Sequence, residues 1–215
     1  MPKLFSKPKE SKYVSEKECM SYGVGGFALN VSANAIKQAA NPIYNITLGV
    51  NPALLGLALA LPRLWDAITD PVMGLISDKY RTRYGRRRPY IVIGGIVMSL
   101  MFVALWMIPG GWSTDLYFWY FLVVSLLFYT AGTVHGVPYM ALGFEMSPDY
   151  DERTWIMAVR GFFMKVGGLL NQWFFPLTQL AMFQDTLHGV RVIGAIGGGI
   201  ILITSILPGI LVKER

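Results

Sequence analysis

Apolar residues run in six blocks separated by short polar breaks. Each block holds about 20 residues or more, enough for a helix to cross the roughly 30 Å hydrocarbon core of a bilayer. The blocks fall at 20–48, 52–76, 89–109, 116–143, 154–183 and 190–212. Helices satisfy their own backbone groups in lipid, so this pattern predicts an all-α membrane protein of six transmembrane helices. Six crossings return the chain to its starting side, with both termini on one face. Residues 1–19 precede the first block, carry five lysines and lack the apolar core of a secretory leader, which reads as a cytoplasmic N-terminal extension. Within it, Ser15-Glu16-Lys17-Glu18 has the form of a capping box. It starts either the first membrane helix or an amphipathic helix ahead of it.

The polar residues that interrupt these blocks are ordered. In the second block Arg63, Asp66 and Asp70 share one helical face. Each costs about 2.5 to 3.5 kcal/mol at mid-membrane on insertion scales, so that face must look into a bundle or a water-filled cavity. An Arg63–Asp66 salt bridge is one reading, but it leaves a second carboxylate over. Two carboxylates at i and i+4 can jointly coordinate a small hard cation or share a proton, which is the sharper reading. In the first block Asn30, Asn34, Lys37, Gln38, Asn41 and Asn45 form a single stripe, more than interhelical hydrogen bonding needs, and the expectation is that it lines an aqueous path. Neutral amides suit ligands rich in hydroxyl groups. The fifth block carries Arg160, Met164, Gly167 and Asn171 on one face, with snorkelling to the headgroups as the bland alternative for Arg160. In the fourth, Thr133 and Gly136 share a face with His135 and Tyr139 nearby; a lone histidine there is either a packed hydrogen-bonding residue or a proton relay. Gly194 to Gly198 reads as close helix packing.

Composition narrows the class. The chain has 215 residues, 53% hydrophobic and only 15% charged, against about a quarter charged in soluble domains. One cysteine and two distant histidines exclude a disulfide framework or a cysteine-rich metal centre. The net charge of +6 sits in blocks beside apolar spans, which excludes a nucleic-acid surface. Lys3, Lys7, Lys9, Lys12, Lys17, Lys79, Arg81, Arg83, Arg86, Arg87, Arg88, Arg153, Lys213 and Arg215 all fall on one side, with Arg191 opposite, so that side is expected to be cytoplasmic. No nucleophile–base pair, phosphate loop or metal-ligand arrangement is visible, so no enzyme is expected and no cofactor beyond a coupling cation.

The loop after the second block reads Gly74-Leu-Ile-Ser-Asp78-Lys-Tyr-Arg81-Thr-Arg83-Tyr-Gly85-Arg86-Arg87-Arg88. A glycine permitting close helix approach, a carboxylate one turn later, a tight turn and an arginine cluster follow in order. This resembles the loop between the second and third helices of the major facilitator superfamily, where such charges latch the cytoplasmic side closed. Arg81 stands where the usual pattern has a second glycine. Two further stretches, Arg63-Leu-Trp-Asp66-Ala-Ile-Thr-Asp70-Pro71 and Val137-Pro138-Tyr139-Met-Ala-Leu-Gly-Phe-Glu145, resemble the glycoside-pentoside-hexuronide:cation symporter family, from about residue 20 onward.

That resemblance implies the N-terminal half of the superfamily fold, a 3+3 inverted repeat, in a multi-pass protein of the bacterial inner (plasma) membrane. It implies cation-coupled symport of a sugar or glycoside by alternating access, with sodium or a proton as coupling cation. The cation site, sodium's if sodium is the coupling ion, would be Asp66, Asp70 and Thr133. The substrate set would be Asn30, Asn34, Lys37, Arg160 and His135. The cytoplasmic gate would be Gly74, Asp78, Arg86, Arg87 and Arg88. Galactoside-carrying members use acidic residues on helices one and four, a tryptophan and a helix-five arginine; only the arginine has a counterpart, Arg160, since Asn30, Gly136 and Met140 stand at the other positions. Pentosides, uronides, other oligosaccharides and lysolipids stay open. Family members have two six-helix halves with substrate between them. The partners expected are therefore substrate, a monovalent cation, the lipid bilayer and a second half-domain or a second copy of the chain. A truncated product or a non-transporting adaptor that binds a partner subunit is the alternative.

Overall fold

The computed structural model describes residues 13–80 and 82–214. Six long helices follow one another: α1 (Glu16–Ala40), α2 (Pro52–Lys79), α3 (Arg88–Trp106), α4 (Thr114–Glu145), α5 (Tyr150–Thr178) and α6 (Thr186–Leu211). They lie at the six apolar blocks with ends shifted by a few residues. Among them α3, α4 and α6 are long and apolar enough to cross a membrane on length and composition alone. Helices α1, α2 and α5 carry the ordered polar residues.

Local chemistry sets the helix starts. Ser15 and Glu18 close a complete capping box, so the extension runs directly into α1 rather than into a separate amphipathic helix; residues 1–12 lie outside the described part. Asn51, Ser113, Asp149 and Asp185 cap α2, α4, α5 and α6 by accepting a backbone N–H. Helix α3 begins at Arg87 without a side-chain cap of its own.

The expected regular first helix changes at its end. From Asn41 to Thr47 the chain is π-helical. Pro42 has no N–H to donate within the helix, and its ring crowds the preceding turn, so the ladder widens there. The amide of Asn45 then folds back onto the Val50 carbonyl at 2.7 Å. The lower part of the predicted stripe is therefore diverted into closing a turn.

Packing is paired. Helix α1 lies mainly against α5, and α2 against α4; α3 touches α4 and α6, while α1 touches α6. Exchanging the first three helices for the last three leaves this set unchanged. Close approach between α3 and α4 depends on Gly94, where a Cβ would stand 2.5 Å from the His135 backbone nitrogen. On α6, an added Cβ at Gly194 would lie 2.5 Å from Trp106 Cβ, and one at Gly198 would collide with Val103, as close packing requires.

Candidate cation and substrate site

Helix α2 presents Arg63, Asp66 and Asp70 to α4, one turn apart along a shared face. Opposite them α4 offers Tyr129, Thr133, Gly136 and Met140, and α1 adds Leu29 and Ser32. Together these residues line an open cavity of about 510 Å³. Thr133 Oγ1 donates to Asp70 Oδ1 at 2.8 Å, and Thr69 Oγ1 lies 3.5 Å from Thr133 Oγ1. Arg63 Nη1 is 3.5 Å from Asp66 Oδ2, and the Arg63 guanidinium sits 4.7 Å from the centre of the Tyr129 ring. Asp66 Oδ1 is enclosed and has no hydrogen-bond partner among the described residues.

This arrangement separates the two carboxylates chemically. Asp66 is partly neutralised by a neighbouring arginine, held only loosely because that arginine is 43% exposed. Asp70 is bound to a hydroxyl that donates one proton and keeps lone pairs for another partner. Two carboxylates with the hydroxyls of Thr133 and Thr69 form an all-oxygen donor set, which suits a small hard cation. Among the described residues no cluster of three or more His, Cys, Asp or Glu could hold a metal ion.

The expected substrate residues separate. Asn30 is joined to α5, where the Asn171 amide donates to its carbonyl at 3.2 Å. The Asn34 amide donates to the same carbonyl at 3.1 Å. Lys37 is exposed, within electrostatic reach of Arg63. These three lie about a third of a turn round α1 from Leu29 and Ser32, at about 100° per residue, and do not line the cavity. Arg160 lies between α1 and α4, its stem beside Gly26 and its guanidinium 5.7 Å from the centre of the Tyr139 ring. Its buried Nε lacks a partner among the described residues.

His135 is placed differently from the expectation. It is fully buried between α3 and α4, Nδ1 lies 2.9 Å from the Ile91 carbonyl, and the ring stacks on Tyr139. It belongs to helix packing and does not line the cavity. The residues that do line the cavity at the resemblance's sugar positions are Gly136 and Met140.

At the end formed by the start of α1 and the end of α6, the expected gate residues meet two acids. Arg87 Nη2 donates to Asp78 Oδ1 at 3.0 Å, and its Nη1 is 2.8 Å from Glu145 Oε2. Arg86 Nη2 donates to Glu145 at 2.9 Å. Arg88 departs from this cluster and donates to the Gly209 and Ile210 carbonyls that end α6. Gly74 departs too: an added Cβ would meet only Val137 at 3.9 Å, an ordinary contact, so helix approach does not require glycine there. Gly85 has φ +113° and closes the turn with Thr82, a conformation that does favour glycine. Arg81 lies outside the described residues.

Known proteins decide between readings of this architecture. The family described as MFS/sugar transport protein matches residues 21–215. The chain belongs to the glycoside-pentoside-hexuronide:cation symporter family of the major facilitator superfamily. Within this family it is 34% identical over 160 residues to an uncharacterized symporter of Synechocystis, covering 71% of this chain and 29% of that protein. It is 29% identical over 153 residues to a protein of Escherichia coli named for glycoside/cation symport, YagG, covering 71% of this chain and 33% of the relative. It is 31% identical over 159 residues to the mouse sodium-dependent lysophosphatidylcholine symporter 1, covering 71% and 29%. The chain thus spans about a third of the length of these relatives. Members of the family are membrane transporters rather than enzymes.

Two acids at this end of the symporter-family chain escaped the sequence reading. Glu145 was visible only as the last residue of a resembling stretch, with nothing local to mark it as the partner of two arginines. Glu214 had no signal at all. Its carboxylate accepts the backbone N–H groups of Arg86, Arg87 and Arg88 at 2.6, 2.6 and 2.9 Å, and so caps α3 from beyond α6. Partial burial pushes Glu214 up, but those three N–H groups and the Arg86 guanidinium outweigh it and hold the carboxyl below its usual value.

Proposed function

We propose that this chain is a six-helix half of a cation-coupled secondary transporter that carries a sugar or glycoside by alternating access. The observation that carries the reading is the oxygen cage at the α2–α4 cavity, in which Thr133 orients Asp70 while Asp66 Oδ1 lacks a partner among the described residues. A monovalent cation entering this cage replaces Arg63 as the counter-charge of Asp66. Neutralising the pair removes the cost of two like charges side by side, and the cavity then favours its substrate-ready form. A ligand moves a two-state equilibrium only by its differential affinity, so coupling requires the cage to close better in one state than in the other. Arg63 is the protein's own competitor for that site. The donor set takes sodium, and Asp66 and Asp70 can equally hold a proton between them.

The paired packing supports a 3+3 inverted repeat, since exchange of the two triplets maps α1–α5 onto α2–α4 and α3–α4 onto α1–α6, although the smaller α5–α6 contact has no α2–α3 counterpart. All six helices cross the membrane in this reading, with the arginine cluster and both ends of the chain facing the cytoplasm of a bacterial inner membrane. Asn34, Lys37, Arg63 and Asp70 lie on the open side of α1 and α2, where lipid would cost several kcal/mol on insertion scales. A second six-helix half, in the same polypeptide, a separate one or a second copy, covers that side and leaves water between.

The test uses Trp65, whose indole donates to Thr130 beside the site at 2.9 Å. Sodium titration of the purified protein is expected to change Trp65 emission saturably, and Asp70→Asn to abolish the response while leaving the helix content intact. An unaltered sodium response in Asp70→Asn would sink the assignment. Repeating the titration at falling pH separates sodium from proton coupling.

A further inference from the structure

A second groove lies where the start of α1 meets the end of α6. Its volume is about 530 Å³, and it is lined by Ser15, Lys17, Glu18, Met20, Ser21, Leu211 and Lys213. Lys17 and Lys213 are exposed, and neither ammonium group has an ion pair among the described residues. The one carboxylate in the groove is turned inward: Glu18 is 7% exposed, its oxygens taking the Ser15 N–H, the Ser15 hydroxyl and the Lys213 N–H. Below the two cations the floor is apolar, with Met20 50% and Leu211 49% exposed. Lys17 also breaks a local rule. It occupies the first turn of α1, where the helix dipole disfavours a cation, so its position there is not explained by helix stability.

We propose that this groove binds an anionic phospholipid, with the phosphate between Lys17 and Lys213 and an acyl chain over Met20 and Leu211. A pair of free cations at the level where apolar helix surface begins matches an amphiphilic anion, in charge above and in hydrocarbon below. A free phosphate has no use for the apolar floor, and a zwitterionic lipid gains less from two cations. The proposal rests on this end of the bundle facing the cytoplasmic leaflet, but not on transport or on cation binding at Asp66 and Asp70. Its position ties α1 and α6 together on the side away from the α2–α4 cavity, so the lipid acts as a support for the helix ends.

Native mass spectrometry of the detergent-purified protein tests it, with phosphatidylglycerol, phosphatidylcholine and glycerol phosphate as probes. Phosphatidylglycerol is expected to give a one-to-one adduct. Each lysine is worth about fivefold near a charged surface, so Lys17→Gln with Lys213→Gln weakens the adduct about 25-fold. The paired change to arginine keeps it, and Lys79→Gln with Arg83→Gln, equal in charge and on the same end, leaves it unchanged. Leu211→Asn weakens it without altering net charge. Equal loss in the Lys79 and Arg83 variant, equal binding of phosphatidylcholine, or displacement of the lipid by glycerol phosphate would each overturn the proposal. Lost sodium response at Trp65 in the glutamine pair would concern the cage and not the groove, which keeps the two readings separable.

Discussion

Where α3 ends, the bundle is closed by rings; where α3 begins, it is closed by charges. At the first end Tyr44 meets Phe121 with centroids 4.5 Å apart, Trp106 meets Phe174 at 5.1 Å, and Phe102 contacts Trp106, Phe128 and Phe174. The Tyr44 hydroxyl donates to the Leu105 carbonyl at 2.7 Å inside the cluster, while the buried Trp106 Nε1 has no partner among the described residues. At the second end Asp78, Glu145 and Glu214 share Arg86, Arg87 and the α3 N-terminus. Rings excluded from solvent have no equally good partner elsewhere, whereas an exposed ion pair exchanges readily with water and salt. The charged end is therefore the one whose opening costs less.

Substitutions at the two ends should separate in size and in salt dependence. Trp106→Ala leaves a cavity at the ring cluster and is expected to cost about 3 to 5 kcal/mol, independent of ionic strength; thermal unfolding in detergent at low and high salt measures it. Gly94→Val puts side-chain atoms into the α4 backbone and should cost about 1 to 3 kcal/mol, again without salt dependence. Arg87→Ala removes a side chain 7% exposed but paired with acids 60% and 37% exposed, and about 1 to 2 kcal/mol is expected after discounting for that exposure. Its loss should shrink as salt rises, and a salt-independent loss would mean that the guanidinium acts by packing. Glu214→Gln is the mildest, at about 1 kcal/mol for a weakened cap. The native Glu214 carboxyl lies below its unfolded value, so its stabilisation is complete above the ordinary carboxylate range and is lost as pH falls through the depressed native value. Acid melts of the wild type and of Glu214→Gln should therefore converge at low pH; parallel curves would remove the electrostatic account.

What could be read along the chain was whatever short-range pattern specifies. Apolar blocks and capping residues placed the helices, and charges inside an apolar helix marked Asp66 and Asp70 because the cost of keeping them there is large. Thr133 came from resemblance, and its bond to Asp70 spans 63 positions. The stripe of α1 was read as one straight face, but Pro42 widens the turn and Asn45 leaves the face. His135 stayed open between a packed residue and a relay; Tyr139, four positions on in α4, was in view, but the Ile91 carbonyl beside its Nδ1 comes from α3 and leaves no trace in the α4 sequence. Glu214 was out of reach altogether, since a cap supplied 127 positions away leaves no local trace.

The pairing of α3 with α6 carries one more consequence. Arg88 at the start of α3 donates to the last carbonyls of α6, and Arg191 near the start of α6 donates to the Ile108 carbonyl just beyond α3 at 3.0 Å. Both fastenings need residues separated by more than 80 positions, and synthesis proceeds from the N-terminus. Helix α3 is thus made well before either of these fastenings exists. The α3–α6 seam can close only once α6 has been made, and until Glu214 emerges the backbone N–H groups at the start of α3 that it accepts must be covered by water, headgroups or the insertion machinery.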